Sequence, residues 1–362
     1  MAGHAEKRGK FTARNWADLP REILVLIARG LSCNNQLRFR GVCKSWRSIG
    51  MVEILSLKGL PCLVCFTSVH DGNGGVTSEC LISLPMQPSA MRIFHKIDRD
   101  DKHKFVGAKV VESKDGWLFC INRYPNFTFL FLFNPFTKET TVLPDLDVVN
   151  DHSHCFLYMA ASSSPSSHDC IFFASYQSSS HFSINSCCKS DNEWTVYRFP
   201  IETPISRVLC AGSTQYCLSL TGDLQAFSMD NRSLTVLGDS ISKIFTKIHL
   251  FEHNGELFLA RFQEKDSIKW KVSQFDRNQE AWMEVKTLET LTIFIGCGYS
   301  SESKPVAATG LGKVFEGCIC YWEGPSLVLY SFKDGRTRKL RSAYSRAEVY
   351  NGYLWFQTPY SS

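Results

Sequence analysis

The sequence predicts a mainly β protein, a small three-helix block followed by a β-propeller, and three observations carry that reading. Helical periodicity is confined to roughly the first fifty of the 362 residues. From about residue 60 onward, short apolar strands follow one another with turn signals every 8 to 12 residues, as in a sandwich, a barrel or a propeller. Within that region one strand unit recurs, starting at a turn and becoming strongly aromatic, and such a repeat decides for the propeller.

In chain order, residues 1–14 are a basic leader with no apolar face and read as disordered. Residues 15–52 are the helical block. Asp18 is placed to cap the first helix, Pro20 suits its first turn, and Gly30 is a natural end. Leu19, Ile23, Leu26 and Ile27 recur at helical spacing, yet Leu24, Val25 and Leu31 fill much of the other side. A second short helix is expected near Ser32 and Asn34, with Leu37 facing inward. A third places Val42, Trp46 and Ile49 at i, i+4 and i+7. Three helices in about 35 residues have too little interior to bury all of this, so a second protein is expected to cover the remainder.

The repeated unit reads DGWLFCI at 115, DCIFFAS at 169, TQYCLSL at 214, NGELFLA at 254, EGCICYW at 316 and NGYLWFQ at 351. Most copies are followed by a hairpin, such as FLFLFNPFTKETTVLP, in which a strand meets Asn, Asp, Gly or Pro and a second strand returns. With the strand before each copy, the unit holds about four strands in 40 to 50 residues, the measure of a propeller blade. The reading is six blades, with seven as the alternative, over residues 60–362. Residues 60–85 are expected to complete the blade that the C-terminal copy begins, closing the ring with both chain ends.

The helical block resembles an F-box. Leu19-Pro20, Ile23-Leu24, Ile27, Leu31, Arg38 and then Val42-Cys43-Lys44-Ser45-Trp46-Arg47 match its Leu-Pro start, apolar helix and closing Val-Cys-x-x-Trp. The stretches SKDGWLFCINR, FLFNPFTKETTVLPDL, SQFDRNQEAWMEVKTLETLTIFIGCGYSSES and GCICYWEGP are similar to the KIB-like domain that follows the F-box in plant proteins. The resemblance implies a substrate-recognition subunit of an SCF-type cullin-RING ubiquitin ligase, non-catalytic itself. Its F-box binds the Skp adaptor, and through it cullin, while the propeller binds an unknown protein target. By the same resemblance Leu19, Pro20, Ile23, Leu24, Ile27, Val42, Cys43 and Trp46 form the adaptor-binding set. The rivals are an F-box protein acting as a scaffold outside the ligase, a propeller enzyme with a helical appendix, a DNA-reading helix-turn-helix, and a helical cap on the β domain.

Composition narrows these. An apolar share of 44% is ample for a core, and no apolar run approaches the roughly 18 residues of a membrane helix. The first 50 residues hold ten Lys or Arg against three Asp or Glu, so the rest of a chain of net charge +5 sums to −2. A nearly neutral β domain, and a last helix that spends Val42, Trp46 and Ile49 on packing, argue against a nucleic-acid partner. Fifteen cysteines, an odd number scattered through apolar strands, read as reduced core thiols of a nuclear or cytoplasmic protein, where the sequons at Asn126 and Asn231 have no meaning.

No cofactor or metal is expected. Cys62 and Cys65 stand three apart on a strand and so on opposite faces. Asp151, His152, His154 and Cys155 share a loop of zinc-binding residue types, but no second ligand pair follows. DGNGG at 71 and GLGK at 310 lack phosphate-cradling spacing. The run DGRTRKLRSAYSR, with Arg336 and Arg338 on one face of a strand and Lys339 and Arg341 on the other, reads as a solvated edge or as a patch for an acidic or phosphorylated partner.

Overall fold

The strand Thr128–Phe133, TFLFLF, is buried at every residue, and a strand apolar on both faces needs a cover on both. Sheets stacked face to face around a ring supply that cover. The computed structural model describes residues 16–31, 39, 42–49, 61–70, 76–83, 91–96, 105–135, 137–147, 157–238, 247–263, 269–296, 303–307, 314–323, 326–340 and 354–356.

The strands are grouped in six sheets. Five of these are built from consecutive segments. β4 (Lys109–Lys114), β5 (Trp117–Arg123), β6 (Thr128–Phe133) and β7 (Thr140–Val142) form one; β8 (Leu157–Ala161), β9 (Ile171–Gln177), β10 (His181–Cys188) and β11 (Thr195–Pro200) form the next. β12 (Ile205–Ala211), β13 (Thr214–Ser219), β14 (Leu224–Ser228) and β15 (Ser233–Leu237) follow, then β16 (Lys247–His253), β17 (Glu256–Gln263), β18 (Lys269–Asp276) and β19 (Ala281–Val285). The fifth holds β20 (Leu291–Ile295), β21 (Ser303–Ala307), β22 (Cys318–Glu323), β23 (Ser326–Ser331) and β24 (Thr337–Leu340). The remaining sheet joins both ends of the chain: β25 (Leu354–Phe356) pairs antiparallel with β1 (Cys62–His70), which continues into β2 (Val76–Ser83) and β3 (Met91–Lys96).

Each seam between neighbouring sheets is one apolar cluster. Phe119, Leu130 and Leu132 meet Leu157, Met159 and Phe172 at one seam. Phe173 and Ile184 meet Cys217 and Phe227 at the next. Leu218 meets Leu250 and Leu259. Phe262 and Val272 meet Ile293 and Tyr321. Phe294 and Cys320 meet Leu63 and Trp355, and Val64 and Cys80 meet Leu118 and Phe131. Adjacent residues such as Leu118 and Phe119 thus serve opposite seams, which is why the strands read as continuous apolar runs. The tight Asp115-Gly116 and Asn254-Gly255 turns need positive φ at both residues, and these four have φ of 48°, 82°, 53° and 82°.

Two expectations are not matched. In place of the six blades expected, five are built from consecutive segments, beside the sheet that joins both chain ends, and the fifth holds five strands, ordered β21-β20-β22-β23-β24. There β20 runs parallel to β22, and the β20–β21 hairpin folds back so that β21, carrying Pro305, takes the sheet edge, the place where a proline costs no ladder bond. Nor are three helices present among the described residues. These show a 3-10 turn at Trp16–Asp18, α1 (Arg21–Gly30) and α2 (Lys44–Arg47). The segment 32–38, where the second helix was expected, lies outside them. Asp18 sits in the 3-10 turn and does not cap α1. Pro20 is the N-cap, with no side-chain bond to give, and its carbonyl accepts the N–H groups of Ile23 and Leu24, both at 3.1 Å. Gly30 is the last helical residue, and Leu31 ends the helix in an extended conformation.

Candidate functional site

Two apolar stripes run along α1. One, Leu24 and Ala28, is buried and packs with Phe39 and Ile49 to make the core of the helical block, with Val25, Leu31 and Trp46 around it. That cluster contains no strand residue. The other stripe faces outward: Ile23 is 41% and Leu26 57% exposed, and Leu19 and Ile27 are half-buried at its margins.

Short-range bonds hold α2 against this helix. Cys43 caps α2 by accepting the Trp46 N–H on its Sγ at 3.5 Å. The Trp46 ring lies 4.4 Å from the Phe39 ring, and its Nε1 donates to the Trp16 carbonyl at 2.9 Å. Arg21 Nη1 donates to the Ser48 carbonyl at 3.4 Å, joining the start of α1 to the end of α2. The result brings Trp16, 71% exposed, and Val42, 59% exposed, onto the surface of the same small unit.

Of the residues expected at the adaptor face, Pro20, Ile23 and Val42 are exposed, and Leu19, Ile27, Cys43 and Trp46 are half-buried. Leu24 is 1% exposed and lies in the buried stripe. Val42 was also expected to pack inward with Ile49. It does not, because α2 starts only at Lys44 and Val42 precedes the helix. Trp16 and Leu26 were missed as surface residues. Leu26 was legible as the continuation of Leu19 and Ile23 at i+7 and i+3; Trp16 was not, since its position depends on the bond from Trp46.

Among the described residues no group of three or more His, Cys, Asp or Glu gathers to hold a metal ion. Burial pushes the thiols of Cys187 and Cys210 up to about 12 and that of Cys217 higher still, which removes the thiolate a nucleophile or metal ligand would need. Cys62 is buried on β1, and its partner in the sequence, Cys65, shares that strand. Asp151, His152, His154, Cys155 and the two glycine-rich stretches lie outside the described residues.

An F-box-like family model matches residues 16–55, the segment that holds both stripes. A second, for the KIB1-4 beta-propeller, matches residues 81–351. The chain belongs to the KIB1-4 beta-propeller family. It joins that propeller to an F-box-like segment, and the relatives it matches are F-box proteins of a plant. An F-box/kelch-repeat protein of Arabidopsis thaliana is 27% identical over 89% of this chain and 88% of its own length. An F-box protein of the same plant is 28% identical over 85% of this chain and 78% of its own length. Among solved structures, TolB from Acinetobacter baumannii covers 87% of this chain and 73% of its own, at 13% identity and a TM-score of 0.45. Among the described residues of this KIB1-4 family member, no helix is long and apolar enough to cross a membrane.

Proposed function

We propose that the chain is the substrate-recognition subunit of an SCF-type cullin-RING ubiquitin ligase. The observation that carries this is the uncovered stripe of α1. Four large apolar side chains, Trp16, Ile23, Leu26 and Val42, are at least 41% exposed within one small helical unit. Exposed apolar side chains gathered in this way mark an interaction surface. The F-box-like match over the same residues supports the Skp adaptor as the partner, with cullin reached through it.

Residues 15–52 then serve as the docking unit and residues 60–362 as the target-binding propeller, with the sheet made from both chain ends closing the ring. The chain supplies no reacting group in this role. It raises the local concentration of target lysines at the ubiquitin-loaded enzyme, so its contribution is proximity.

Replacing Leu19 and Pro20 together with Ala removes an apolar side chain and the ring that fixes φ at the N-cap of α1. Interface hot spots are typically worth about 2 kcal/mol or more each, so the pair weakens adaptor binding by roughly a thousandfold. Affinity capture from cells should lose adaptor and cullin together while the target stays bound and accumulates. Wild-type amounts of cullin on the double mutant would exclude this docking face. A chain that keeps the adaptor but never carries cullin would instead be a scaffold outside the ligase.

A further inference from the structure

β24 stands last in its sheet, paired only with β23 in the register Leu327↔Leu340 to Tyr330↔Thr337. Among the described residues no strand pairs with its other side, and the outward N–H and C=O groups of an edge strand can pair with a further strand. Every residue from 333 to 339 is exposed, and this short stretch holds Lys333, Arg336, Arg338 and Lys339 against a single acid, Asp334.

That acid is committed to the turn. Asp334 Oδ1 accepts the Arg336 N–H at 3.2 Å, and Gly335, at φ 70°, closes the hairpin through its N–H on the Ser331 carbonyl at 2.9 Å. Lys339 is taken by Glu323 at 2.7 Å, on the opposite face of the strand from Arg336 and Arg338. Arg336 touches Asp334 only at 3.6 Å, with its side chain 87% exposed, and Arg338 makes no ion pair among the described residues. The turn and the strand after it therefore present two guanidinium groups at alternate positions, Arg336 just before β24 and Arg338 on it.

Positive charge on an edge commonly serves to repel other strands. The remaining outer strands with described side chains carry less of it. β7, β15 and β19 expose Val142, Val236 and Met283 and carry no Lys or Arg, while β11 carries one Arg and ends in Pro200. Arg336, just before β24, and Arg338, on it, give this edge more positive charge than any of those strands.

We propose that β24 is a docking edge for an extended acidic segment of a partner protein. The segment adds as a strand, and Asp or Glu at every second position lies opposite Arg336 and Arg338. Nucleic acid is the poorer fit, because no exposed aromatic lies among residues 333–339 to stack a base and the strand edge is matched to a peptide backbone. The proposal stands independently of the adaptor reading, since it concerns the ring alone.

The test is fluorescence anisotropy of the full-length chain with a short labelled peptide alternating glutamate and valine. The peptide should bind, more weakly as salt rises. Its glutamine counterpart, and a version N-methylated at alternate residues to block strand pairing, should each bind about tenfold more weakly or worse. The exposed double variant Arg336→Glu with Arg338→Glu should lose about tenfold for the glutamate peptide while melting like the wild type. Arg338→Gln alone should lose less. Equal binding of the glutamate and glutamine peptides, or wild-type binding by the double variant, overturns the proposal. An unaffected N-methylated peptide overturns strand addition. A single-stranded RNA oligonucleotide that binds more tightly than the peptide, and loses binding in the same variant, would make the edge a nucleic-acid site instead.

Discussion

Trp16 and Trp355 are the same side chain in two settings, 71% and 0% exposed. Trp355 lies on β25, stacked edge-on to Phe294 at 4.9 Å, with its Nε1 on the Ile295 carbonyl at 3.0 Å. Its own carbonyl accepts the Ser113 Oγ at 3.1 Å from the following sheet. Trp16 gives only its carbonyl, to Trp46, and leaves its ring in solvent. The ring of sheets packs the face of each sheet on a neighbouring sheet of its own. The helical block, with Leu24, Ala28, Phe39 and Ile49 as its buried centre, is too small to do so and leaves half of α1 for a partner.

The largest break in this comparison comes from Trp355→Ala. Removing a buried Trp typically costs about 3–5 kcal/mol, a large part of a stability of about 5–15 kcal/mol, and here it also orphans the Ile295 carbonyl. Because β25 holds the last strand contact between the two chain ends, the whole ring should melt earlier in a single transition, and adaptor capture by the helical block should persist. Loss of only a local signal, such as exchange protection confined to β1, would mean that the ring does not depend on its closing strand.

A middle-sized effect separates the two stripes of α1. Leu24→Ala opens a cavity in a core of few residues and should cost about 3 kcal/mol, unfolding the helical block and abolishing adaptor binding while the ring melts unchanged. Leu26→Ala removes an exposed side chain. It should stay within about 0.5 kcal/mol of wild-type stability and still weaken adaptor binding. Calorimetry beside a pull-down reads both. If Leu24→Ala binds normally, or Leu26→Ala lowers stability as much as Leu24→Ala, the assignment of buried and docking stripes is reversed.

The ring was legible because its signals are local and repeated: a Gly turn, then a doubly apolar strand, then a polar hairpin. The five-stranded sheet was not. Ser303–Ala307 contains Pro305 and reads as loop, and only the parallel pairing of β20 with β22 turns it into an inner edge. On α1 the sequence shows an apolar arc wider than one neighbour can cover, which announces a partner. It does not say which stripe is inward, since Phe39 and Ile49 select Leu24 and Ala28 through contacts outside the helix. The same limit kept Trp16 hidden and misplaced Val42.

The smallest effect sharpens the contrast at the ring's rim, where charge and not burial does the work. The Ser331 side chain and the Arg336 N–H hold the exposed Asp334 carboxyl below its ordinary value, helped by the Arg336 charge. A carboxyl whose folded value is depressed contributes stability above its unfolded value of about 4, and that contribution is lost as pH falls through the folded value. Asp334→Asn should therefore melt slightly below the wild type at neutral pH, and the gap should close in the acid range below about pH 4. The substitution also removes the one negative charge from residues 333–339, so the acidic peptide should bind somewhat more tightly even as the turn weakens. Those opposite signs identify Asp334 as a turn-former that tempers the edge. A gap that stays constant with pH would mean that Asp334 acts through shape alone, and weaker peptide binding by Asp334→Asn would mean that Arg336 needs Asp334 to hold it in place.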